Sequence, residues 1–240
     1  MSMSNTFNNG RAASTLRTPA LAHWLEESTL FPHAICALKS WRHRSETYHD
    51  VYGPDYFETL ERTSWESAPA IARSIVEHLN PVRVVDLGCG TGNLIDNLRC
   101  LGVKAVGADF SDYALKYCEK RCLDVKKIDF TDAEAIRSPL GRFDLAISLD
   151  VAHQLPKNAA TAHVAYLCHH ADHVIFSAPS CASDLLPKCA RPIEFWIEQF
   201  EARDFVLDYA LSSIFKVEWP EPAAEPVRSR RPLVFQRGSW

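Results

Sequence analysis

The sequence lacks long hydrophobic runs, paired-cysteine motifs and any apolar stretch near its first residue. Its longest apolar runs fall far short of the ~20 residues that a helix needs to cross a bilayer. Eight cysteines in 240 residues are too dilute for a disulfide framework, and the polar residues 1–14 do not resemble a secretory signal. We therefore expect a cytoplasmic protein with reduced thiols and no membrane contact.

An excess of positive charge is also missing, since the formal net charge is −4. No global basic field would attract a nucleic acid, so a nucleic-acid partner is not expected. Arg228, Arg230 and Arg231 form a local basic cluster, which we interpret as part of a solvated loop.

Zinc-ligand spacings such as CxxC and HExxH are absent from the sequence. Potential ligands do cluster at Cys168, His169, His170 and His173. This cluster falls where a helix is expected to run into a strand, and histidines suit the negative end of a helix dipole. We therefore predict no metal site.

Turn residues and apolar runs divide the sequence into three parts. Residues 1–17 are polar and rich in Ser and Asn, and we predict them to be disordered. Residues 18–80 contain helical patterns and are expected to form a helical cap or lid. Residues 81–240 alternate short β runs with helices and form the predicted core domain.

The alternation of strands and helices predicts an α/β fold whose parallel sheet is covered by helices on both faces. Two apolar runs near the end, FVLDYAL (205–211) and PLVFQR (232–237), are predicted strands with a Pro-rich segment between them. Because no helical repeat separates them, we expect an antiparallel pair at the sheet edge. In such sheets, ligands bind at the carboxyl ends of the strands.

Glycine is scarce, with nine residues in all, yet three of them alternate within the stretch RVVDLGCGTGNLI, residues 83–95. An apolar strand there runs through Asp86 into Gly88, Gly90 and Gly92, and then into a helix start. Glycine is needed where the backbone takes a positive φ or where a ligand lies against it. The pattern departs from the dinucleotide fingerprint GxGxxG because the third glycine comes one residue early. The stretch suits either a dinucleotide or an adenosyl cofactor without pyrophosphate.

Acidic residues end three successive predicted strands. Asp86 precedes the glycines and suits a ligand that carries an ammonium group. Asp109 follows Gly88 by 21 residues, close to the ~20 expected of an acid that binds ribose hydroxyls. Asp129 can accept a hydrogen bond from the exocyclic amine of adenine, and Phe130 can cover the ring, although a core role for Phe130 stays open. S-adenosylmethionine has all three parts, so we predict it as the cofactor.

With these residues in view, the sequence resembles the class I S-adenosylmethionine-dependent methyltransferases, in particular their small stand-alone members. VVDLGCGTG (84–92), VGADFS (106–111) and IDF (128–130) are similar to the first three motifs of that family, and FDLAISLDVAHQLP (143–156) to its fourth-strand motif. The resemblance covers roughly residues 48–240. It implies a Rossmann-like, seven-stranded, mostly parallel sheet with an antiparallel last strand, helices on both faces and an N-terminal helical extension.

The same resemblance implies which residues contact the cofactor. They are, in chain order, Tyr52, Tyr56, Asp86, Gly88, Cys89, Gly90, Gly92, Asp109, Phe110, Asp129, Phe130, Leu149 and Asp150. Tyr52 and Tyr56 would belong to a segment that folds over the cofactor, and Leu149 and Asp150 would close its near side. Simple packing roles for the tyrosines stay open, and Cys89 is interpreted as a small filler rather than a nucleophile.

These features predict methyl transfer from S-adenosylmethionine to an oxygen or nitrogen atom of a small organic metabolite, by in-line displacement. His153 follows the fourth strand and is the candidate general base. Similar family members often have Glu-His in this stretch, whereas this chain has His153-Gln154, so the histidine is shifted by one position. A core or surface role for His153 therefore stays open.

Three alternatives to this function are kept. The protein could methylate a nucleic acid or a protein, it could be a non-catalytic subunit that retains the cofactor fold, or it could be a dehydrogenase. A homodimer is compatible with the sequence.

Overall fold

The computed structural model describes residues 52–132, 134, 139–152, 155–177, 191–220 and 231–238. Within these ranges the helices are α1 (Pro54–Leu79), α2 (Asn93–Cys100), α3 (Asp112–Lys120), α4 (Lys157–His170), α5 (Ile193–Glu201) and α6 (Tyr209–Glu218). The strands are β1 (Arg83–Leu87), β2 (Lys104–Asp109), β3 (Val125–Lys127), β4 (Phe143–Leu149), β5 (Ala171–Ser177), β6 (Phe205–Asp208) and β7 (Leu233–Arg237). The segment predicted to be disordered, residues 1–17, and the predicted cap up to residue 51 lie outside the described residues. None of the helices in the described ranges is both long enough and apolar enough to span a bilayer.

Seven strands of the described residues form one sheet in the order β3-β2-β1-β4-β5-β7-β6. The neighbours from β3 to β5 pair in parallel, whereas β7 runs antiparallel to both β5 and β6. This topology confirms the predicted mostly parallel sheet with an antiparallel last strand. The strand order reverses between β1 and β4, and their carboxyl ends flank the crevice where ligands bind in such folds.

The last part of the sheet corrects one expectation. The run FVLDYAL is not a single strand, because β6 ends at Asp208 and α6 begins at Tyr209. Asp208 Oδ1 accepts a hydrogen bond from Leu211 N at 2.9 Å and thereby caps the helix. Phe215 of α6 and Trp219, which directly follows the helix, then pack in the core on one face of the sheet. The predicted antiparallel pairing of the two runs is confirmed, but a helix connects them.

Side chains along the central strands alternate between two apolar cores. On β5, Ile175 packs in a core that includes residues of α1, α2 and α6, whereas Val174 and Phe176 pack in a core that includes residues of α4 and α5. A large apolar side chain that is fully buried contributes ~1.5–3 kcal/mol relative to exposure. Because both faces are covered, the central strands are nearly continuous apolar runs, and their polar residues concentrate at the strand ends.

The cysteine and histidine cluster predicted at a helix end lies at the junction of α4 and β5. Arg237 Nη2 donates to the carbonyl of Cys168 at 2.6 Å, and Arg142 Nη1 donates to that of His169 at 2.7 Å. Both guanidinium groups also pair with Asp172. The arginines thus satisfy the last carbonyls of α4. Across the described ranges, no group of three or more potential ligands could hold a metal ion.

Candidate active site

The glycine turn, residues 88–92, connects β1 to α2 at the carboxyl end of the sheet, and all three of its glycines have positive φ. A Cβ atom at Gly88 would overlap Val151 Cγ2. A Cβ atom at Gly90 would lie 2.8 Å from Leu60 Cδ2. The positive φ disfavours a side chain at both positions, and Val151 after β4 and Leu60 of α1 would have to shift to admit one. The turn presents bare backbone, as the sequence predicted.

Asp86 lies in β1, two residues before the turn, and only 5% of the residue is exposed. No donor among the described residues makes a hydrogen bond to its carboxylate. Burial, and to a smaller extent the negative charge of Asp109, raise the pKa of the Asp86 carboxyl to about 7. A buried carboxylate without a partner is unfavourable unless a positive charge meets it. The arrangement therefore suits a cationic ligand group, in agreement with the predicted ammonium contact.

Asp109 ends β2, next to Asp86, and 6% of the residue is exposed. Its Oδ2 accepts a hydrogen bond from Gly90 N at 2.9 Å, and its Oδ1 accepts one from Ser111 N at 3.0 Å. Burial raises the pKa of Asp109 to about 6, although these backbone donors oppose the shift. The hydrogen bond from Gly90 N thus attaches the glycine turn to the end of β2. Each carboxylate oxygen of Asp109 can accept more than one hydrogen bond, which leaves capacity for ribose hydroxyls.

An aromatic cluster joins the start of α1 to the end of β2. The rings of Tyr52 and Tyr56 lie 4.9 Å apart, and those of Tyr52 and Phe110 lie 5.6 Å apart, both edge to face. Tyr52 and Tyr56 are buried, whereas Phe110 is half-buried. The start of α1 therefore lies over the residue that follows Asp109, as the predicted cover requires. Direct cofactor contact by the two tyrosines stays a prediction.

The two residues after β3 occupy different environments. Asp129 is partly exposed, and its Oδ1 accepts hydrogen bonds from Thr131 N at 2.8 Å and Thr131 Oγ1 at 2.7 Å. Phe130 is 4% exposed and packs in the core, with its ring 4.7 Å from that of His163. This position supports the alternative role of Phe130 as a core residue. Of the predicted aromatic contacts to adenine, Phe110 is therefore the better placed.

Residues after β4 and β5 close the opposite side of the crevice. Leu149 and Asp150 are half-buried there, and Asp150 has a left-handed backbone conformation with φ of 58°. Asp150 N donates to Ser177 Oγ at 3.0 Å, and Ser177 Oγ donates to Asp150 Oδ1 at 2.8 Å. This reciprocal pair holds the chain at a turn next to Gly88, where the predicted near wall of the cofactor site lies.

A buried pair that the sequence analysis did not single out lies beneath this wall. Ser148 and His163 are both fully buried, and Ser148 Oγ lies 2.8 Å from His163 Nε2. Ser148 Oγ also donates to the carbonyl of Leu87 at 3.1 Å, so its one proton is used and His163 Nε2 must donate to Oγ. Burial lowers the pKa of His163 to about 3, which keeps the ring neutral. The pair is part of the scaffold.

Cys89 lies within the glycine turn and is half-buried. Its thiol lies 3.8 Å from the carbonyl oxygen of Gly90, and Cys118 Sγ lies 3.5 Å from the same oxygen. A hydrogen bond with Cys118 and burial raise the pKa of the Cys89 thiol, which disfavours a nucleophilic thiolate. The structure thus supports the interpretation of Cys89 as a small filler.

The candidate base His153 and its neighbour Gln154 lie outside the described residues, as do residues 178–190. The role of His153 therefore stays a prediction.

Sequence analysis missed three residues that tie α1 to the glycine turn. Asn93 Nδ2 donates to Glu61 Oε2 at 3.2 Å, and Arg121 forms an ion pair with the same glutamate. Asn93 directly follows the turn, which is a weak signal of its role. Glu61 lies 32 residues before Asn93 and Arg121 lies 28 residues after it, so only the fold brings them together.

Comparisons with known proteins match part of the chain by sequence and more of it by fold. A family model described as a methyltransferase domain matches residues 84–171, from β1 to the first residue of β5. This segment of the chain is therefore similar to the methyltransferase domains that use S-adenosylmethionine. The matched segment includes the glycine turn, Asp109 and the end of β4, so the similarity covers residues that form the candidate site. The resemblance inferred from the motifs is thereby confirmed.

Curated relatives match part of the chain. Ubiquinone biosynthesis O-methyltransferase from Paraburkholderia xenovorans is 28% identical over 134 residues, which is 54% of this chain and 54% of the relative. The protein of the same name from Alkalilimnicola ehrlichii is 32% identical over 100 residues, which is 40% of each chain. The chain thus matches about half the length of these relatives or less.

Solved structures share the fold over more of the chain. Magnesium protoporphyrin IX methyltransferase from Synechocystis PCC 6803, with bound S-adenosylmethionine, is 17% identical with a TM-score of 0.56 and covers 95% of this chain and 100% of that one. A TehB-like S-adenosylmethionine-dependent methyltransferase from Corynebacterium glutamicum is 15% identical with a TM-score of 0.57 and covers 78% of this chain and 100% of that one. At such identities the likeness establishes the fold.

Proposed function

We propose that the protein transfers a methyl group from S-adenosylmethionine to an oxygen or nitrogen atom of a small organic molecule. The observation that carries this proposal is the state of Asp86, a buried carboxylate that receives no hydrogen bond from the described residues and lies beside a bare glycine turn. A nucleoside that carries an ammonium group would neutralise it, and Asp109 stands two positions further along the neighbouring strand for the ribose.

The residues at the site fit this cofactor part by part. Asp86 would hold the ammonium group, the glycine turn would lie against the methionine moiety, and Asp109 would accept hydrogen bonds from the ribose hydroxyls. Phe110 would lie beside the adenine, and Asp129 would accept from its exocyclic amine. When bound, the cofactor supplies an electrophilic methyl group on a positively charged sulfur that leaves readily.

The chain has to orient the acceptor atom and exclude water, since the leaving group needs no further activation. Correct orientation of reacting groups can supply ~7–11 kcal/mol of a barrier. The aromatic cluster of Tyr52, Tyr56 and Phe110 supplies an apolar cover on one side, and Leu149 with Asp150 supplies a wall on the other. The acceptor would lie between them, over the crevice.

An oxygen acceptor is favoured over nitrogen because the curated relatives carry the name O-methyltransferase. A hydroxyl group arrives protonated, so a base near the end of β4 would accelerate transfer. His153 is the candidate, because the unperturbed pKa of a histidine, ~6.5, suits a base at neutral pH.

A partition experiment with methyl-labelled S-adenosylmethionine tests the proposal. The protein is incubated with the labelled cofactor and an extract that contains small metabolites, RNA and proteins, and the products are divided into an organic extract and an acid-insoluble fraction. We expect the label in the organic extract. Label in the acid-insoluble fraction would show a macromolecular substrate. Cofactor binding by calorimetry without transferred label would show a non-catalytic subunit, and either result would overturn the proposal.

A further inference from the structure

Helix α1 is attached to the rest of the protein in two different ways. In its C-terminal half, Ile71, Ala72 and Ile75 are at most 3% exposed and pack in the core on one face of the sheet. Its N-terminal half lies over the glycine turn, where Leu60 Cδ2 would be 2.8 Å from a Cβ atom placed on Gly90. The anchored half needs no further fixing, whereas the orientation of the other half depends on local contacts.

Arg121, directly after α3, supplies one of these contacts. Its Nη1 donates to the carbonyl of Thr91 in the glycine turn at 2.9 Å, and its Nη2 forms an ion pair with Glu61 of α1. The guanidinium carbon also lies 5.6 Å from the ring centre of Trp65, one turn further along α1. The side chains of Arg121 and Glu61 are 18% and 23% exposed, so solvent screens this pair less than a surface pair.

Glu61 is bound from the other side by Asn93, the first residue of α2. Asn93 is 2% exposed, and its Nδ2 lies 3.2 Å from Glu61 Oε2 and 2.6 Å from Ser64 Oγ. The glycine turn is therefore attached to α1 at two points, through Thr91 and through Asn93. We call Glu61, Asn93 and Arg121 the α1 latch.

We propose that the α1 latch is a positioning device that sets cofactor affinity without touching the cofactor. It holds the N-terminal half of α1 against the glycine turn, and with it Tyr52 and Tyr56 over Phe110. A turn of glycines has few side chains of its own to restrict its backbone, so its conformation depends on such external contacts. This inference rests on the proposed function, because the latch has a role only if the turn binds S-adenosylmethionine.

The test compares Arg121→Gln, Glu61→Gln and the double variant by calorimetric titration with S-adenosylhomocysteine. Arg99→Gln is the matched control: Arg99 pairs with Asp96 at 3.0 Å and donates to the carbonyls of Arg121 and Cys122, so it also joins α2 to the end of α3. Among the described residues, none of the hydrogen bonds or ion pairs of Arg99 reaches α1 or residues 88–92. Melting temperature and hydrogen exchange of segments 54–66 and 69–79 are measured on every variant.

We expect Arg121→Gln to raise the dissociation constant about ten-fold and Glu61→Gln about three-fold, as for the loss of one or two charge-assisted hydrogen bonds. The double variant should lose less affinity than the product of the two single effects, because both changes break the Arg121–Glu61 ion pair. In the latch variants, hydrogen exchange should increase in segment 54–66 and not in segment 69–79. Arg99→Gln should leave both the affinity and the hydrogen exchange unchanged. If the latch had only a structural role, its variants would lower the melting temperature without a selective increase of hydrogen exchange in segment 54–66.

Two results would overturn the inference. If the wild-type protein binds S-adenosylhomocysteine and the latch variants bind it within two-fold, the latch does not position the site and the proposed function stands. If the wild-type protein does not bind, the proposed function fails, and the inference fails with it.

Discussion

On the β1–β2 side of the crevice, Asp86 is buried without a hydrogen-bond donor among the described residues, whereas on the β4–β5 side two pairs of polar side chains bond to each other. Ser148 pairs with His163, and Asp150 pairs with Ser177. The two sides differ in whether these side chains have hydrogen-bond partners among the described residues. The unpaired Asp86 carboxylate at the glycine turn therefore marks the place of a ligand group, whereas the Ser148–His163 pair belongs to the scaffold.

The largest effect on binding is expected for Asp86→Asn, on the β1–β2 side of the crevice. Loss of the carboxylate that meets the ligand's ammonium group should weaken S-adenosylhomocysteine binding at least ~100-fold, the loss expected of a buried charge-assisted contact. The same change should stabilise the free protein at pH 8 by about 1–4 kcal/mol, since a pKa shift costs ~1.4 kcal/mol per unit. Calorimetry and thermal unfolding measure the two effects.

The stability gain should depend on pH in a defined direction. The folded protein raises the pKa of Asp86 from 3.8 to about 7, so wild-type stability is lost as pH rises through this range. Asp86→Asn and wild type should therefore unfold at similar temperatures at pH 4 and differ most above pH 7. Asp144→Asn serves as the control, because Asp144 accepts hydrogen bonds from Val82 N and Arg83 N at the opposite end of β1. A variant at Asp86 that lost stability at pH 8 would contradict the comparison.

Asp109→Asn should have the next largest effect on binding. The carboxylate now accepts hydrogen bonds from the backbone N–H groups of Gly90 and Ser111. The NH2 group of an asparagine would face one of these donors and could not accept its hydrogen bond. We expect binding of S-adenosylhomocysteine to weaken ~10–50-fold and stability to fall by ~1–2 kcal/mol, the range for lost hydrogen bonds to a charged group. The two acids would thus differ in the sign of their effect on stability. If Asp109→Asn instead raised the stability of the free protein, the two acids would not differ in this respect.

The affinity for S-adenosylhomocysteine should itself fall as the solution is acidified. With a pKa of about 7, roughly one tenth of Asp86 is ionised at pH 6, so we expect about ten-fold weaker binding at pH 6 than at pH 8. Titrations in buffers with different ionisation enthalpies should show that binding releases a proton near pH 7. The Asp86→Asn variant should show a flatter pH dependence and no such release from this site.

The smallest effect on binding is expected for the Ser148–His163 pair, on the β4–β5 side of the crevice. Ser148→Ala removes the acceptor for His163 Nε2 and should cost ~1–3 kcal/mol of stability, while the affinity for S-adenosylhomocysteine changes by less than about two-fold. The double variant Ser148→Ala/His163→Leu should recover part of the stability, since both polar groups are then removed. A large loss of binding in Ser148→Ala would place this pair in the site rather than beneath it.

The sequence alone predicted those parts of the fold that depend on neighbouring residues. The strand, glycine turn and helix of residues 83–100 follow from one local pattern, and a serine directly before a helix is typical of an N-cap, as at Ser111, whose Oγ accepts from Tyr113 N at 3.3 Å. The helix α6 was missed because FVLDYAL forms one apolar run. The capping bond of Asp208 and the burial of Phe215, four residues beyond Leu211, are visible only once the chain turns away from the sheet.

The residues of the site likewise include some that a local sequence pattern indicates and others that only the fold brings together. Asp86 and Asp109 stand at strand ends that the alternation of strands and helices identifies, so their convergence could be predicted. The α1 latch joins Glu61 to Arg121 across 60 residues, and no local pattern indicates such a contact. The position of Phe130 also needed the fold, because an aromatic residue after a strand suits either the core or a ligand.

The central claim is that Asp86 recognises the ammonium group of the cofactor, and paired titrations with S-adenosylhomocysteine and 5′-methylthioadenosine test it most directly. The second compound keeps the adenosine and the sulfur but has no amino-acid group. The account predicts that Asp86→Asn weakens binding of S-adenosylhomocysteine at least ~100-fold and changes binding of 5′-methylthioadenosine by less than about three-fold. Equal losses for both compounds, or no loss for either, would contradict it.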